Sequence, residues 1–439
     1  QVLTDDNFRI ELEQHGLSQA KSFSWDKSAQ TALTAFEEVV SVGAGVGAHE
    51  SADKLIDKLA AVFSAANTAA EDVAAAANCI DVNERVALQF RRLTTEISLR
   101  IEGPFDSSYS LALLNRETSL ALDALGYDVT LHSTEGPGDF DPNPKFLREN
   151  PAIERLYEKS LRQVPGGSDV VSRNLYPPRV NDINGRLAFL HHYAWEESGF
   201  PQQWVESFND HLDGMTCLST HVQKVMIDNG VSTPMTVSGC GVDHWERVPD
   251  DGFFDLVAKD FRYLHVSSCF PRKGVDSLLK AFGDAFTNND DVSLVIKTFP
   301  NPHNDVYQWL DKIRAERSDY PDVVIIDRDL SDVELKALYK LCNVLVAPTR
   351  AEGFGLPMAE AMLSGLPVIT TAWSGQLDFC NAENSWLIDY EFGRADTHFN
   401  IMLSAWANPN ISSLTGALIE AHVASPELRA KKAQAGREL

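Results

Sequence analysis

The sequence predicts an α/β protein with two parallel-sheet lobes and a cleft between them. Three observations carry this. Short apolar runs of strand type alternate with helical stretches over 94–247, and the alternation restarts at 253 and continues to roughly 395. An irregular segment, "GVDHWERVPDDG" (241–252), interrupts the rhythm and reads as a hinge. The chain has 439 residues, too many for one ordinary domain and suited to two or three.

In the first lobe the strands are "EISLRIEG" (96–103), "YDVTLHS" (127–133), "DVVSRN" (169–174), "RLAFLHHY" (186–193), "MTCLS" (215–219) and "PMTVSG" (234–239). Helices are expected at 107–126, 201–214 and 220–230, the last stopped by Gly230. In the second lobe the strands are "FRYLHVSS" (261–268), "VSLVIKTF" (292–299), "DVVIID" (322–327), "NVLVAP" (343–348), "PVITTAW" (367–373) and "SWLIDY" (385–390). Helices fall at about 274–287, 305–317 and 331–341, and after Pro357. Ahead of both lobes, 1–40 has helical apolar spacing, "SVGAGVGAH" (41–49) reads as a flexible linker, and 51–78 is Ala-rich and helical.

Composition excludes several function classes. Net charge is −25 with no basic run, which argues against nucleic acid and against strong attraction to anionic lipid. Docking through a small local patch stays compatible with that charge. The six cysteines are scattered without a CxxC pair, as expected of reduced thiols in a cytosolic protein. No apolar run reaches membrane-spanning length, and no signal peptide is visible. The first residue is not Met, so the chain is read as a piece of a longer protein.

The stretch "TRAEGFGLPMAEAM" (349–362) places two acids, Glu352 and Glu360, around a bend and a helix start. Gly353 and Gly355 permit the bend, Pro357 suits the first helical turn, and Gly365 is a plausible C-cap. Free N–H groups at such a start, together with the helix dipole, make an anion site. An acid one turn inside could accept hydroxyl hydrogen bonds beside that anion, so the pair suits a sugar nucleotide. Taken alone, the stretch equally fits a surface helix with two solvated acids. Its context is a strand on either side, which puts the loop at the carboxyl edge of a parallel sheet, where ligands bind. On the same edge, "HVSSCFPRKGVDSLLKAF" (265–282) places Arg272 and Lys273 in a strand–helix loop. Two cations there could neutralise a diphosphate.

These segments, with "LSDVELKALYKLCNVLVAPTRAEGFGLPMAEAMLSGLPVITT", resemble the retaining glycosyltransferases of family 4, which have the two-lobed GT-B fold. Glu352 and Glu360 match the family's E-x7-E pattern. "HHYAWEESGFPQQWVESFNDHLDGMTCLSTHVQKVMIDNGV" (191–231) is similar to bacterial polysaccharide and O-antigen transferases, often built as tandem modules. The resemblance implies that Glu360 binds the ribose hydroxyls and that Glu352 faces the donor sugar. The N–H groups of Phe354, Gly355 and Leu356 would support sugar and phosphate, and Arg272 and Lys273 would hold the diphosphate. Ser268 stands where many relatives carry an arginine, and the stretch from Arg328 to Leu330 would lie near the base. His191 matches the family histidine near the sugar, with His192 its rival by one residue of register. "EGPFDSSYS" (102–110) replaces a Gly-Gly loop, so Asp106, Ser107 and Tyr109 are offered as acceptor contacts, together with Glu196.

The implied function is transfer of a sugar, mannose from GDP-mannose first, from a nucleotide diphosphate sugar to a growing polysaccharide or O-antigen, with retention. No Asp-x-Asp in a suitable loop suggests a metal site, so no metal is expected, and no cofactor beyond the donor. The partners expected are the nucleotide sugar, a glycan or lipid-linked glycan acceptor, a second transferase module in the same parent chain and a peripheral membrane assembly, without nucleic acid. The place expected is the cytoplasm, at the inner face of the membrane. A module that binds a glycan or a partner protein without activity is the alternative. The domains expected are 1–40, a helical tail of an upstream module; 41–93, linker and Ala-rich helices; 94–247, the acceptor lobe; and 248–439, the nucleotide-sugar lobe with C-terminal helices. Trp25 is expected to pack on a lobe in place of a missing final helix.

Overall fold

A computed structural model describes residues 30, 31, 33, 34, 97–107, 109–163 and 167–438. The first lobe opens with β1 (Ser98–Glu102), α1 (Ser110–Ala124) and β2 (Asp128–His132). A two-stranded ribbon, β3 (Thr134–Glu135) and β4 (Gly138–Asp139), and two helices, α2 (Pro144–Glu149) and α3 (Pro151–Leu161), follow. Then come β5 (Val170–Arg173), β6 (Leu187–Tyr193), α4 (Gln202–His211), β7 (Gly214–Cys217), α5 (Thr220–Asp228) and β8 (Met235–Val237). All pairs in its sheet are parallel, in the order β2-β1-β5-β6-β7-β8.

A short helix, α6 (His244–Arg247), occupies the hinge. The second lobe holds β9 (Phe261–Val266), α7 (Val275–Ala285), β10 (Val292–Thr298), α8 (Val306–Glu316), β11 (Asp322–Asp327) and α9 (Asp332–Leu341). It continues with β12 (Val344–Ala347), α10 (Leu356–Leu363), β13 (Val368–Thr371) and β14 (Ser385–Ile388). Its sheet is also parallel, in the order β11-β10-β9-β12-β13-β14. An antiparallel hairpin, β15 (Tyr390–Arg394) and β16 (Ala405–Pro409), precedes α11 (Ile411–Val423) and α12 (Pro426–Arg437). The architecture is GT-B: two Rossmann-like lobes whose sheets turn their strand ends toward a common cleft.

The inner strands β5, β7, β10, β12 and β13 are buried throughout because helices cover both faces of each sheet. β10 is buried along its whole length, as its near-continuous apolar sequence requires. The hinge is bolted to the second lobe. Trp245 is 2 % exposed, meets the Tyr339 ring edge-on at 5.6 Å, and donates its indole N–H to Ser364 Oγ at 2.8 Å. The Lys336 ammonium donates to the carbonyls of Trp245 and Val248 at 2.9 and 2.7 Å. Trp245→Ala is expected to destabilise the fold by about 3–5 kcal/mol, the range for deleting a buried tryptophan. Denaturant melts check it, and a loss below about 1 kcal/mol would mean that the hinge is not anchored by this ring.

Of the first forty residues, Gln30, Thr31, Leu33 and Thr34 are described, all in helix. Leu33 is buried within the same hydrophobic cluster as Trp245, Met362 and Leu366. Trp25 and the segments 41–93 lie outside the described residues. The two C-terminal helices stay on the second lobe: α11 buries Leu414 and Leu418 against its core, and Gly436 of α12 lies against the Met362 side chain. Five cysteines are buried and free; Cys79 lies outside the described residues. Among the described residues no helix is long and apolar enough to cross a membrane.

Candidate active site

The site is assembled from two loops at the carboxyl edge of the second sheet. After β9 the chain makes a single 3-10 turn, Pro271–Lys273, and enters α7 through Gly274 at φ +70°. A Cβ at Gly274 would stand 2.0 Å from the Pro348 carbonyl oxygen, so the two loops can pack together only with glycine here. After β12 the second loop runs beside the first. The Arg272 carbonyl accepts the Arg350 N–H at 2.7 Å and the Thr349 hydroxyl at 3.2 Å. Gly355, at φ +103°, then turns the chain into α10.

This packing brings four charged groups into one chain. The Lys273 ammonium is 2.6 Å from Glu352 Oε1. The Arg272 guanidinium lies 3.3 Å from Glu352 Oε2 and donates to the Ala351 carbonyl at 2.8 Å. Its other nitrogen reaches across the cleft to Glu196 of the first lobe, at 3.0 Å. Burial alone would raise the Glu352 carboxyl, but Lys273 and Arg272 outweigh it and hold the group below its ordinary value. Burial lowers Lys273, with the neighbouring Arg272 charge adding to the shift. For Arg272 burial acts downward, yet Glu196 and Glu352 together raise it. Beneath them His265 donates from Nδ1 to the Val346 carbonyl at 2.8 Å, leaving Nε2 to accept from Ser267 Oγ at 2.7 Å. Burial pushes this imidazole down to about 4, so it stays neutral.

Glu360 lies one turn inside α10, with its carboxylate accepting the Tyr339 hydroxyl at 3.2 Å. His244 of the hinge approaches its other oxygen at 4.0 Å. Burial pushes Glu360 up to about 8; Asp332 adds to this and the Tyr339 bond opposes it.

A cavity of about 730 Å³ spans the two lobes. It is lined by Glu352, Arg272, Lys273 and Glu360, by Phe354, Gly355 and Leu356, and by Ser268, Leu330, Tyr109 and Glu196. Five other sequence candidates are placed elsewhere. β6 changes register against β7 between Leu190 and Tyr193, with His192 at φ +49°, and both histidine rings turn into the first lobe. His191 is fully buried, bonded through Nδ1 to Ser172 at 2.9 Å and through Nε2 to Asn115 at 2.8 Å, and burial holds it far below its ordinary value. His192 bonds Ser238 at 2.7 Å through Nδ1. The strand's contribution to the cleft comes instead from Ala194 and Glu196 beyond it. Arg328 pairs with Glu334 at 2.9 Å and lies over the Phe254 ring. Asp106 accepts the Asn143 N–H at 2.7 Å, and the Ser107 carbonyl accepts from Arg116 at 2.6 Å.

Three basic lining residues carry no sequence motif: Arg116 on α1, Lys297 on β10 and His244 in the hinge. Lys297 has one legible signal, a lysine inside a mostly apolar strand. It is buried, with its ammonium on the Thr298 carbonyl at 2.9 Å. Among the described residues no group of three or more His, Cys, Asp or Glu side chains is arranged to hold a metal ion.

Residues 252–391 match the family described as "Glycosyl transferases group 1". The serotype-specific mannosyltransferase WbdA of Escherichia coli is 23% identical across 92% of this chain and 54% of its own length. The O-antigen chain mannosyltransferase RfbU of Salmonella typhimurium is 29% identical across 29% of this chain and 34% of its own. The chain thus spans about half the length of the curated WbdA relatives it matches. Among solved structures, sucrose-phosphate synthase from Thermosynechococcus elongatus superposes with a TM-score of 0.53 at 16% identity, covering 78% of this chain and 93% of that one. That likeness concerns the fold alone.

Proposed function

We propose, from the premise that residues 252–391 form a glycosyl transferases group 1 domain on a GT-B frame, that the chain is a retaining glycosyltransferase of polysaccharide or O-antigen assembly. The donor we infer is a nucleoside diphosphate sugar, GDP-mannose first. The observation that carries this reading is the Arg272–Lys273–Glu352 cluster beside the start of α10, with Glu360 one turn further in.

In this reading the two cations and the N–H groups of Phe354, Gly355 and Leu356 bind the diphosphate, and Glu360 accepts from the ribose hydroxyls. Glu352 orients the donor sugar. As the bond from the anomeric carbon to the diphosphate oxygen breaks, the acceptor hydroxyl oxygen bonds to that carbon from the same face. The hydroxyl proton passes to a departing phosphate oxygen. Arg272 and Lys273 stabilise the charge that develops there, a preorganised electrostatic effect that requires no metal ion. His191, sealed between Ser172 and Asn115, is left to shape the first lobe.

The experiment is a panel of GDP- and UDP-sugars, read as nucleoside diphosphate release with and without mannose-containing acceptors. Turnover is expected to be fastest on GDP-mannose and to persist in EDTA, with the α configuration retained by NMR. Binding without turnover on every donor would leave a glycan- or partner-binding module in its place. Loss in EDTA restored by Mg²⁺ would overturn metal independence.

A further inference from the structure

The β15–β16 hairpin belongs to the second lobe, yet the segment 395–404 at its tip is bonded to the first. Glu197 is the node. Its carboxylate is buried, accepts the Thr397 hydroxyl at 2.7 Å through Oε1 and the Ser404 hydroxyl through Oε2. On either side the backbones are joined. Ser198 N–H donates to the Ala405 carbonyl at 2.9 Å, Ala405 N–H donates to Ser198 Oγ at 2.8 Å, and Gly199 N–H donates to Ser404 Oγ at 3.0 Å. Phe399 from the hairpin packs on Trp195, ring centroids 5.1 Å apart.

The foot of the same hairpin grips the loop that carries Glu352. Ala407 N–H donates to the Arg350 carbonyl at 3.0 Å, and Arg350 Nε donates to Asn408 Oδ1 at 2.9 Å. The hairpin therefore grips the chain next to both carboxylate partners of Arg272. At its tip it holds the segment bearing Glu196, and at its foot the segment bearing Ala351 and Glu352. A buried carboxylate is costly unless hydrogen-bonded, and an apolar contact could join two lobes at less expense. What the carboxylate adds is direction, because two hydroxyls from one hairpin fix its orientation and hence that of the preceding residue.

We propose that Glu197 is a positioning residue for the transfer, acting through the hairpin of the opposite lobe to hold Glu196 against Arg272. This rests on the functional reading above. The consequence is that one wall of the first-lobe side of the cleft is carried by the donor lobe.

The test cuts the contact from both sides. Glu197→Gln keeps size but gives up the charged acceptor; Thr397→Val with Ser404→Ala removes the donors from the hairpin. For each, GDP affinity is measured by calorimetry and kcat and KM by GDP release from GDP-mannose. Each is expected to lower kcat about tenfold, to leave GDP affinity within about twofold, and to combine with no further loss, as residues sharing one contact do. Retained GDP affinity separates misplacement from unfolding. Wild-type kcat in the hairpin variant, or losses that multiply in the combination, would overturn the proposal while leaving the functional reading standing. A wild-type protein that neither binds GDP nor turns over GDP-mannose would remove the donor reading and this inference with it.

Discussion

Replacing Arg272 and Lys273 together by alanine is expected to lower turnover by about three orders of magnitude or more, since deleting even one preorganised donor at a developing charge costs about 10²–10³. Both cations lie within 3.3 Å of one carboxylate, so the pair acts as a unit and the double variant is the informative one. The loss is expected in kcat, because the charge they meet grows as the diphosphate leaves. The same substitution strips Glu352 of its partners, which gives an independent check on folding. In the wild type Glu352 is held below its ordinary value, so its contribution to stability is present at neutral pH and fades as pH falls through the folded value. Without the cations burial is opposed only by the Thr349 hydroxyl, the carboxyl rises from its wild-type value, and the stability that Glu352 contributes at neutral pH shrinks. Turnover within about tenfold of wild type would remove both side chains from the mechanism.

Glu360→Ala is expected to weaken GDP binding by about 10- to 100-fold, the range for losing a hydrogen bond to a charged group, about 1.5–3 kcal/mol. Unchanged affinity by calorimetry would end the ribose assignment. The same residue gives binding a pH dependence. With its value pushed up to about 8, Glu360 holds a proton at neutral pH, whereas ribose hydroxyls favour the carboxylate. Affinity should therefore rise with pH until about 8, and binding at pH 7 should release a proton, visible as a buffer-dependent heat. Stability runs the other way. The folded state keeps a proton that the unfolded chain has shed, so Glu360 costs stability as pH rises from about 5 to about 8. Glu360→Gln removes that cost and is expected to melt higher than wild type at pH 8 while binding GDP less well.

The two sheets were legible in the sequence because their inner strands are buried on both faces and read as largely apolar runs, as in "NVLVAP" and "VSLVIKTF". The loops of the second lobe were legible because Gly274, Gly355 and Pro357 mark backbone positions with few alternatives. Other features depend on contacts between distant segments. The register shift before Tyr193 depends on pairing with β7, so no pattern within β6 announces that both histidines turn away from the cleft. Arg116 faces the cavity from the middle of α1, where an arginine ordinarily reads as solvated. The segment 390–409 lacks alternation, and its hairpin has meaning only against Trp195 and Glu197, some two hundred residues earlier. Asn143–Pro144 and Asn150–Pro151 are helix-start signals, and α2 and α3 follow them, but they lie outside the strand–helix rhythm.

The charges of Arg272, Lys273, Glu196 and Glu352 cancel, two against two. A diphosphate arriving there meets a neutral mosaic, on a protein that carries −25 overall, and has to trade places with the Glu352 carboxylate already bonded to both cations. The site works as an ion exchanger. Simple anions gain little from such a trade, because they offer the displaced Glu352 carboxylate nothing. A sugar nucleotide supplies hydroxyl donors to Glu352 as its phosphates take over the cations, so the exchange favours the whole donor over its fragments. With no net positive field to focus, capture should not weaken as ionic strength rises, unlike entry into a bare basic groove.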